Sequence, residues 1–121
     1  MPRVLVIEDE AVTRTITERL VRSFGYDVDV ARDGAEGLAK LSPDVDLVLL
    51  DIVMPGMDGF EVCRRIRGAE NGADVPIIMV TGSASRADRL RAVEAGANDF
   101  IEKPVDATEL RVRSASLLKM N

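Results

Sequence analysis

The chain has 121 residues, 46% of them hydrophobic, which is enough for one domain with a buried core. A net charge of −5 argues against direct nucleic-acid binding, because a phosphate backbone selects basic surfaces. A single cysteine, Cys63, and the absence of histidine exclude an internal disulfide and remove the commonest metal ligand and general base. Aromatic residues make up only 3%, so the core must be aliphatic. The N-terminus moves straight into a strand-like run, with no apolar segment of a secretion signal and no stretch long enough to span a membrane. The expected location is the cytoplasm.

Val4 to Ile7 is a short aliphatic run suited to a strand buried on both faces, and it stops at Glu8-Asp9-Glu10. A helical pattern follows, with Val12, Ile16, Leu20 and Phe24 spaced by four along an expected inward face, and Gly25 placed to close it. Tyr26 to Ala31 alternates apolar and polar residues, as a less buried strand does. Asp33-Gly34 signals a turn, and Ala35, Leu38, Ala39 and Leu41 mark a short second helix ending before Pro43.

Asp46 to Leu50 leads an unbroken aliphatic run, the expected third strand, up to the carboxylate of Asp51. Pro55, Gly56 and Gly59 then announce a tight loop, and a helix can start near Asp58 with Phe60, Cys63 and Ile66 on one face. Cys63 reads most simply as core. After a polar loop over 68–74, Pro76 opens a fourth strand, Ile77 to Val80, where its missing N–H does least harm. A fourth helix is expected from about Ser85 to Ala95, with Ala87, Leu90 and Val93 inward and Gly96 as its cap. Asn98 to Ile101 is a fifth short strand, ended by Glu102-Lys103-Pro104. Asp106 and Glu109 form a capping-box pattern for a last helix that buries Leu110, Ser114, Leu117 and Leu118.

Strand and helix thus alternate five times. That order implies a parallel sheet covered on both faces by right-handed crossovers, an α/β three-layer sandwich in a single domain over residues 1–121. In a parallel sheet all strand C-termini lie at one edge, where open α/β sheets bind ligands. The residues just past those ends are Glu8, Asp9 and Glu10, then Asp51, Thr81 and Lys103. Close carboxylates repel unless a cation intervenes. Oxygen ligands without histidine or thiolate suit a hard ion, Mg²⁺ above all. A carboxylate is also a competent nucleophile toward phosphorus, with an ammonium and a hydroxyl to hold the other phosphoryl oxygens. The cluster reads as a site for an aspartyl phosphate.

Four segments in order carry a family resemblance: Val4 to Asp9, Leu49 to Gly59, Val80 to Gly82 and Gly96 to Pro104. Over essentially its whole length the chain resembles the receiver domains of bacterial two-component response regulators. The resemblance implies a flavodoxin-like (βα)5 fold with strand order 2-1-3-4-5. It implies that Asp51 is the phosphoacceptor, that Asp9, Asp51 and the Val53 carbonyl bind Mg²⁺ directly, and that Glu8 helps through water. Lys103 would pair with the phosphoryl group, Thr81 would reorient to bond it, and the Lys103–Pro104 peptide would be cis. Phe100 occupies the aromatic switch position, so that Thr81 and Phe100 together would remodel the surface of the fourth helix, fifth strand and fifth helix. Val53 and Ser83 sit where the family tunes loss of phosphate, and a polar residue at Val53 is expected to alter the dephosphorylation rate, with decay kinetics as the check.

The function expected is therefore phosphorelay signalling rather than conventional enzyme turnover. The phosphoryl group would come from a sensor histidine kinase or a histidine phosphotransfer protein, and a phosphorylation-dependent homodimer is compatible with the reading. The chain is expected to be either a stand-alone regulator or the receiver of a longer one. Two other readings compete. A phosphatase of the haloacid dehalogenase type also uses a strand-end aspartate with Mg²⁺, but places a second acid two residues later, where this chain has Val53. A receiver-like module that is never phosphorylated would not need Glu8, Asp9, Asp51, Thr81 and Lys103 together.

Overall fold

The computed structural model describes residues 1–82 and 85–119. In chain order the elements are β1 (Arg3–Ile7), α1 (Ala11–Ser23), β2 (Asp27–Ala31), α2 (Gly34–Lys40), β3 (Leu47–Asp51), α3 (Gly59–Gly68), β4 (Ile77–Thr81), α4 (Arg86–Ala95), β5 (Asp99–Glu102) and α5 (Ala107–Leu118). The strands form one parallel sheet in the order β2-β1-β3-β4-β5. Ser83 lies outside the described residues.

The aliphatic runs show no alternation because both faces of the sheet are covered. Leu5, Ile7, Val48, Leu50, Ile77 and Met79 face one side with Phe60, Val62, Cys63, Ile66, Ala92 and Ala95 from α3 and α4. Val4, Val6, Leu47, Leu49, Ile78, Val80 and Ile101 face the other with Val21 of α1 and Leu110 of α5. Cys63 is core, and its thiol donates to the Ala95 carbonyl oxygen at 3.3 Å. Burial pushes that thiol's pKa up, which suits a packing role.

Side-chain caps start every helix at the residue before it. Glu10, Asp33, Asp58, Ser85 and Asp106 each accept a hydrogen bond from the backbone N–H three positions on. Gly25 and Gly96 take the positive φ expected of them past α1 and α4. The strand ends differ by one residue from the expected ones: β3 starts at Leu47 and includes Asp51, β4 includes Thr81, and β5 runs to Glu102. Asp46 lies just before β3, where its carboxylate accepts the Arg3 N–H at 2.8 Å and its own N–H donates to the Arg3 carbonyl at 2.8 Å.

Two helical faces depart from expectation. In α1, Val12 and Ile16 are 66% and 55% exposed, while Thr17 and Val21 are buried. A spacing of four overshoots a helical turn by about 40°, so a row of four such residues drifts off any single face. In α4 the buried residues are Ala92 and Ala95, and the expected inward residues Leu90 and Val93 are 55% and 69% exposed. The α4 face that joins the core is thus made of small side chains. In α2, Gly34 and Gly37 face inward, and a Cβ on Gly37 would come within 2.5 Å of Ile7 Cδ1.

Candidate functional site

The C-terminal edge of the sheet gathers side chains from four strand ends. β1 ends at Ile7, and the Glu8 N–H continues the ladder by donating to the Ala31 carbonyl at 3.0 Å. Glu8 is buried, and both of its carboxylate oxygens are occupied. Oε1 accepts from Lys103 Nζ at 2.7 Å, and Oε2 accepts from the Glu10 N–H at 3.2 Å. Asp9 follows, half-buried, and Glu10 turns away to cap α1. The Thr13 hydroxyl and N–H donate to the Glu10 carboxylate and hold its pKa below the usual range. Glu10 is thus a helix cap and not part of the acid group.

Asp51 is the last residue of β3 and only 5% exposed. Its loop turns sharply over α3, and the Gly59 N–H donates to the Ile52 carbonyl at 2.7 Å. A Cβ on Gly59 would collide with the Asp51 carbonyl oxygen and with Ile52 Cα, so only glycine lets α3 start this close to the strand end. Lys103 enters from beyond β5. Its N–H donates to the Thr81 carbonyl at 2.6 Å, and its ammonium lies 3.3 Å from Asp51 Oδ1. The Lys103–Pro104 peptide is cis. Thr81, at the end of β4, is 1% exposed.

One carboxylate oxygen from each of Glu8, Asp9 and Asp51 lies within 4.8 Å of the others, an arrangement able to hold a metal ion. The donor set is all oxygen and anionic, which fits a hard divalent cation. Electrostatics point the same way. Burial, and then the Glu8 carboxylate beside it, push the Asp51 pKa up from 3.8 to about 7, against the pull of Lys103. Burial works against the Lys103 charge, but its bond to Glu8 and the nearby Asp51 anion outweigh it and raise its pKa. The ammonium therefore stays charged and partly neutralises a group that still carries excess negative charge.

Of the residues expected from sequence, Glu8, Asp9, Asp51 and Lys103 converge, with Thr81 on the adjoining strand end. The Val53 side chain is 71% exposed in the loop after β3. Phe100 is half-buried on β5, with the Arg89 guanidinium of α4 5.2 Å from its ring centre. Sequence reasoning missed Arg14, whose Nη1 donates to the Glu8 and Asp9 carbonyls at 3.0 and 3.2 Å. Its partners are backbone oxygens, which leave no pattern in a sequence.

The family model for the response regulator receiver domain matches residues 4–115. The chain belongs to the response regulator receiver domain family. This receiver domain is 40% identical over 122 residues to response regulator PleD of Caulobacter vibrioides, covering 98% of this chain and 27% of that protein. It is 42% identical over 118 residues to the transcriptional regulatory protein ResD of Bacillus subtilis, covering 97% of this chain and 48% of that protein. The chain thus spans half or less of the length of these relatives. Among solved structures it matches the chemotaxis protein CheY4 of Vibrio cholerae with a TM-score of 0.92 at 29% identity, covering 97% and 98% of the two chains. The receiver domain of sensor histidine kinase PA1611 from Pseudomonas aeruginosa matches with a TM-score of 0.90 at 34% identity over 98% of each, and in that structure a magnesium ion is coordinated in the active-site cleft. The fold is flavodoxin-like with the strand order expected, and the function is that of a two-component receiver domain. Among the described residues, no helix is long and apolar enough to cross a membrane.

Proposed function

We propose that this receiver domain accepts a phosphoryl group on Asp51 and passes the signal on through a change in surface shape. The observation that carries the reading is the Glu8, Asp9 and Asp51 group with Lys103 set between Glu8 and Asp51. The deprotonated Asp51 carboxylate attacks phosphorus, the bond to the donor nitrogen or oxygen breaks, and an acyl phosphate remains. Lys103 offers its ammonium to the phosphoryl oxygens, and Thr81 offers its hydroxyl. Asp9, Asp51 and the Val53 carbonyl would hold Mg²⁺ directly and Glu8 would help through water, and the bound ion would supply charge neutralisation and Lewis-acid polarisation. The domain acts on no other substrate: it catalyses only its own phosphorylation and the loss of that phosphate.

The donor we assign is a sensor histidine kinase or a histidine phosphotransfer protein in the cytoplasm. The exposed apolar residues Val12 and Ile16 of α1 support this assignment. Ile16 borders a groove of about 440 Å³ that runs past Thr13 and Thr17 to Lys103, Pro104 and Val105. An apolar partner helix laid there would reach the rim that holds Asp51. On phosphorylation Thr81 and Phe100 move together and rebuild the α4, β5 and α5 surface, which biases an existing two-state equilibrium toward an effector or a second receiver. We read residues 1–121 as one such domain, since its elements follow one another without a linker from Arg3 to Leu118.

Acetyl phosphate with Mg²⁺, followed by intact mass, tests the proposal. A mass gain of one phosphoryl group that is absent in Asp51→Asn supports it. No gain in the parent protein points instead to a receiver-like module that is never phosphorylated.

A further inference from the structure

We infer that Arg14 is a positioning residue that sets the affinity of the acid group for Mg²⁺ by fixing the backbone from which Glu8 and Asp9 project. This rests on the Mg²⁺ reading given above. Past Ile7 the ladder ends, and among the described residues no backbone N–H donates to the Glu8 or Asp9 carbonyl oxygens. Arg14 sits in the first turn of α1, with its own N–H on the Glu10 carbonyl at 2.9 Å. From there its guanidinium folds back, and one nitrogen, Nη1, donates to both of those carbonyls, at 3.0 and 3.2 Å. Two successive peptide planes are thereby held by a single cationic donor.

The two acids depend on that grip unequally. Glu8 is tethered by its own carboxylate, through Lys103 on one oxygen and the Glu10 N–H on the other. The Asp9 carboxylate accepts no hydrogen bond and forms no ion pair among the described residues. Its place beside Glu8 and Asp51 is set by its backbone, and Arg14 is the side chain that holds the Asp9 carbonyl. Groups hydrogen-bonded to a ligating side chain typically change metal affinity by about 10- to 100-fold when removed, and Arg14 orients Asp9 one step further back, through its carbonyl.

Charge and position predict opposite signs. A guanidinium near the acids repels a divalent cation, so a purely electrostatic role makes Arg14→Ala bind Mg²⁺ more tightly. A positioning role makes it bind more weakly. A role confined to folding stability lowers the melting temperature and leaves the dissociation constant alone.

The experiment is a calorimetric titration of the metal-free protein with MgCl₂ for the parent, Arg14→Ala and Arg14→Lys, at a temperature where circular dichroism shows all three folded. We expect Arg14→Ala to bind about tenfold or more weakly. Arg14→Lys should fall between it and the parent, because an ammonium keeps the charge as a point donor without the planar fork. Amide NMR signals of Asp9 and Glu10 should broaden or shift in Arg14→Ala before any metal is added. Equal or tighter binding by Arg14→Ala overturns the inference while leaving the Mg²⁺ reading intact. A parent that binds no Mg²⁺ overturns both. Should Arg14→Ala not fold, Arg14→Lys decides: binding equal to the parent's overturns the inference, and weaker binding supports it.

Discussion

At the scale of single residues, Asp51 is a carboxylate whose charge its own burial works against. A carboxyl whose pKa rises from 3.8 to about 7 on folding is destabilised as an anion, first by burial and then by Glu8. Each pKa unit is worth about 1.4 kcal/mol, so the metal-free protein gives up roughly 4 kcal/mol to keep Asp51 ionised. The sign follows from linkage. A raised pKa contributes stability that is complete below about pH 4 and is lost as pH rises toward 7. Asn cannot ionise, so Asp51→Asn should melt higher than the parent in EDTA, with a gain that grows between about pH 4 and 7 and is flat above. Thermal denaturation across that range checks this, and a gain independent of pH would show that Asp51 is not the strained group. Several of these residues were legible in the sequence. Glu8, Asp9, Asp51, Thr81 and Lys103 each stand at or just past an aliphatic run, and in a parallel sheet such positions must meet. Arg14 was not legible in its role, because its hydrogen bonds go to backbone carbonyls and depend on how a loop turns and not on residue spacing.

At the scale of elements, strands were easier to read than helix faces. A strand buried on both sides needs only an unbroken aliphatic run, and β1, β3 and β4 supply one. A helix face is a phase, and phase was misjudged in α1 and α4, where large aliphatic residues point outward and Thr17, Ala92 and Ala95 point in. The same exposed residues make a prediction about docking. Ile16→Asp removes an apolar contact from a surface position, so folding stability should change by no more than about 0.5 kcal/mol. Labelling by acetyl phosphate should be unchanged, whereas transfer from a histidine-phosphorylated protein should slow about tenfold or more, as loss of an interface anchor does. Parallel rate measurements with the two donors check this, and an equal loss with both would remove α1 from the docking surface. A second element-scale device is Arg67, at the end of α3. Its guanidinium donates to the carbonyls of Gly96, Gly72 and Val75 at 3.0, 2.9 and 2.6 Å, and to Asn98 Oδ1 at 2.9 Å. Asn98 Oδ1 in turn accepts the Ile77 N–H at 2.8 Å. One side chain thus ties α3 to the starts of β4 and β5, far from Asp51. Arg67→Met should cost about 3 kcal/mol, seen as a lower urea midpoint with an unchanged slope, and Arg67→Lys should not restore it.

At the scale of the whole molecule, the parallel sheet performs one operation: it collects distant residues at one edge and packs like charges there. The fold tolerates this because Lys103 neutralises part of the charge and a proton on Asp51 neutralises more. On the Mg²⁺ reading proposed above, a divalent ion and that proton would compete for the same carboxylate, and ion binding would release the proton. The competition has a calculable form. With Mg²⁺ fixed at one hundred times its dissociation constant for the ionised site, binding should stabilise the fold by about 2.7 kcal/mol at pH 8. At pH 6, a unit below the Asp51 pKa of about 7, the site is mostly protonated, the apparent affinity is about tenfold weaker, and the gain should fall to about 1.4 kcal/mol. Melting temperatures with and without Mg²⁺ at the two pH values measure the difference directly. Asp51→Asn should show little gain at either pH, since it lacks both the ligand charge and the competing proton. A magnesium-dependent shift of equal size at pH 6 and pH 8 would mean that the ion binds without displacing a proton from Asp51, and the coupling between fold and charge at this edge would have to be sought elsewhere.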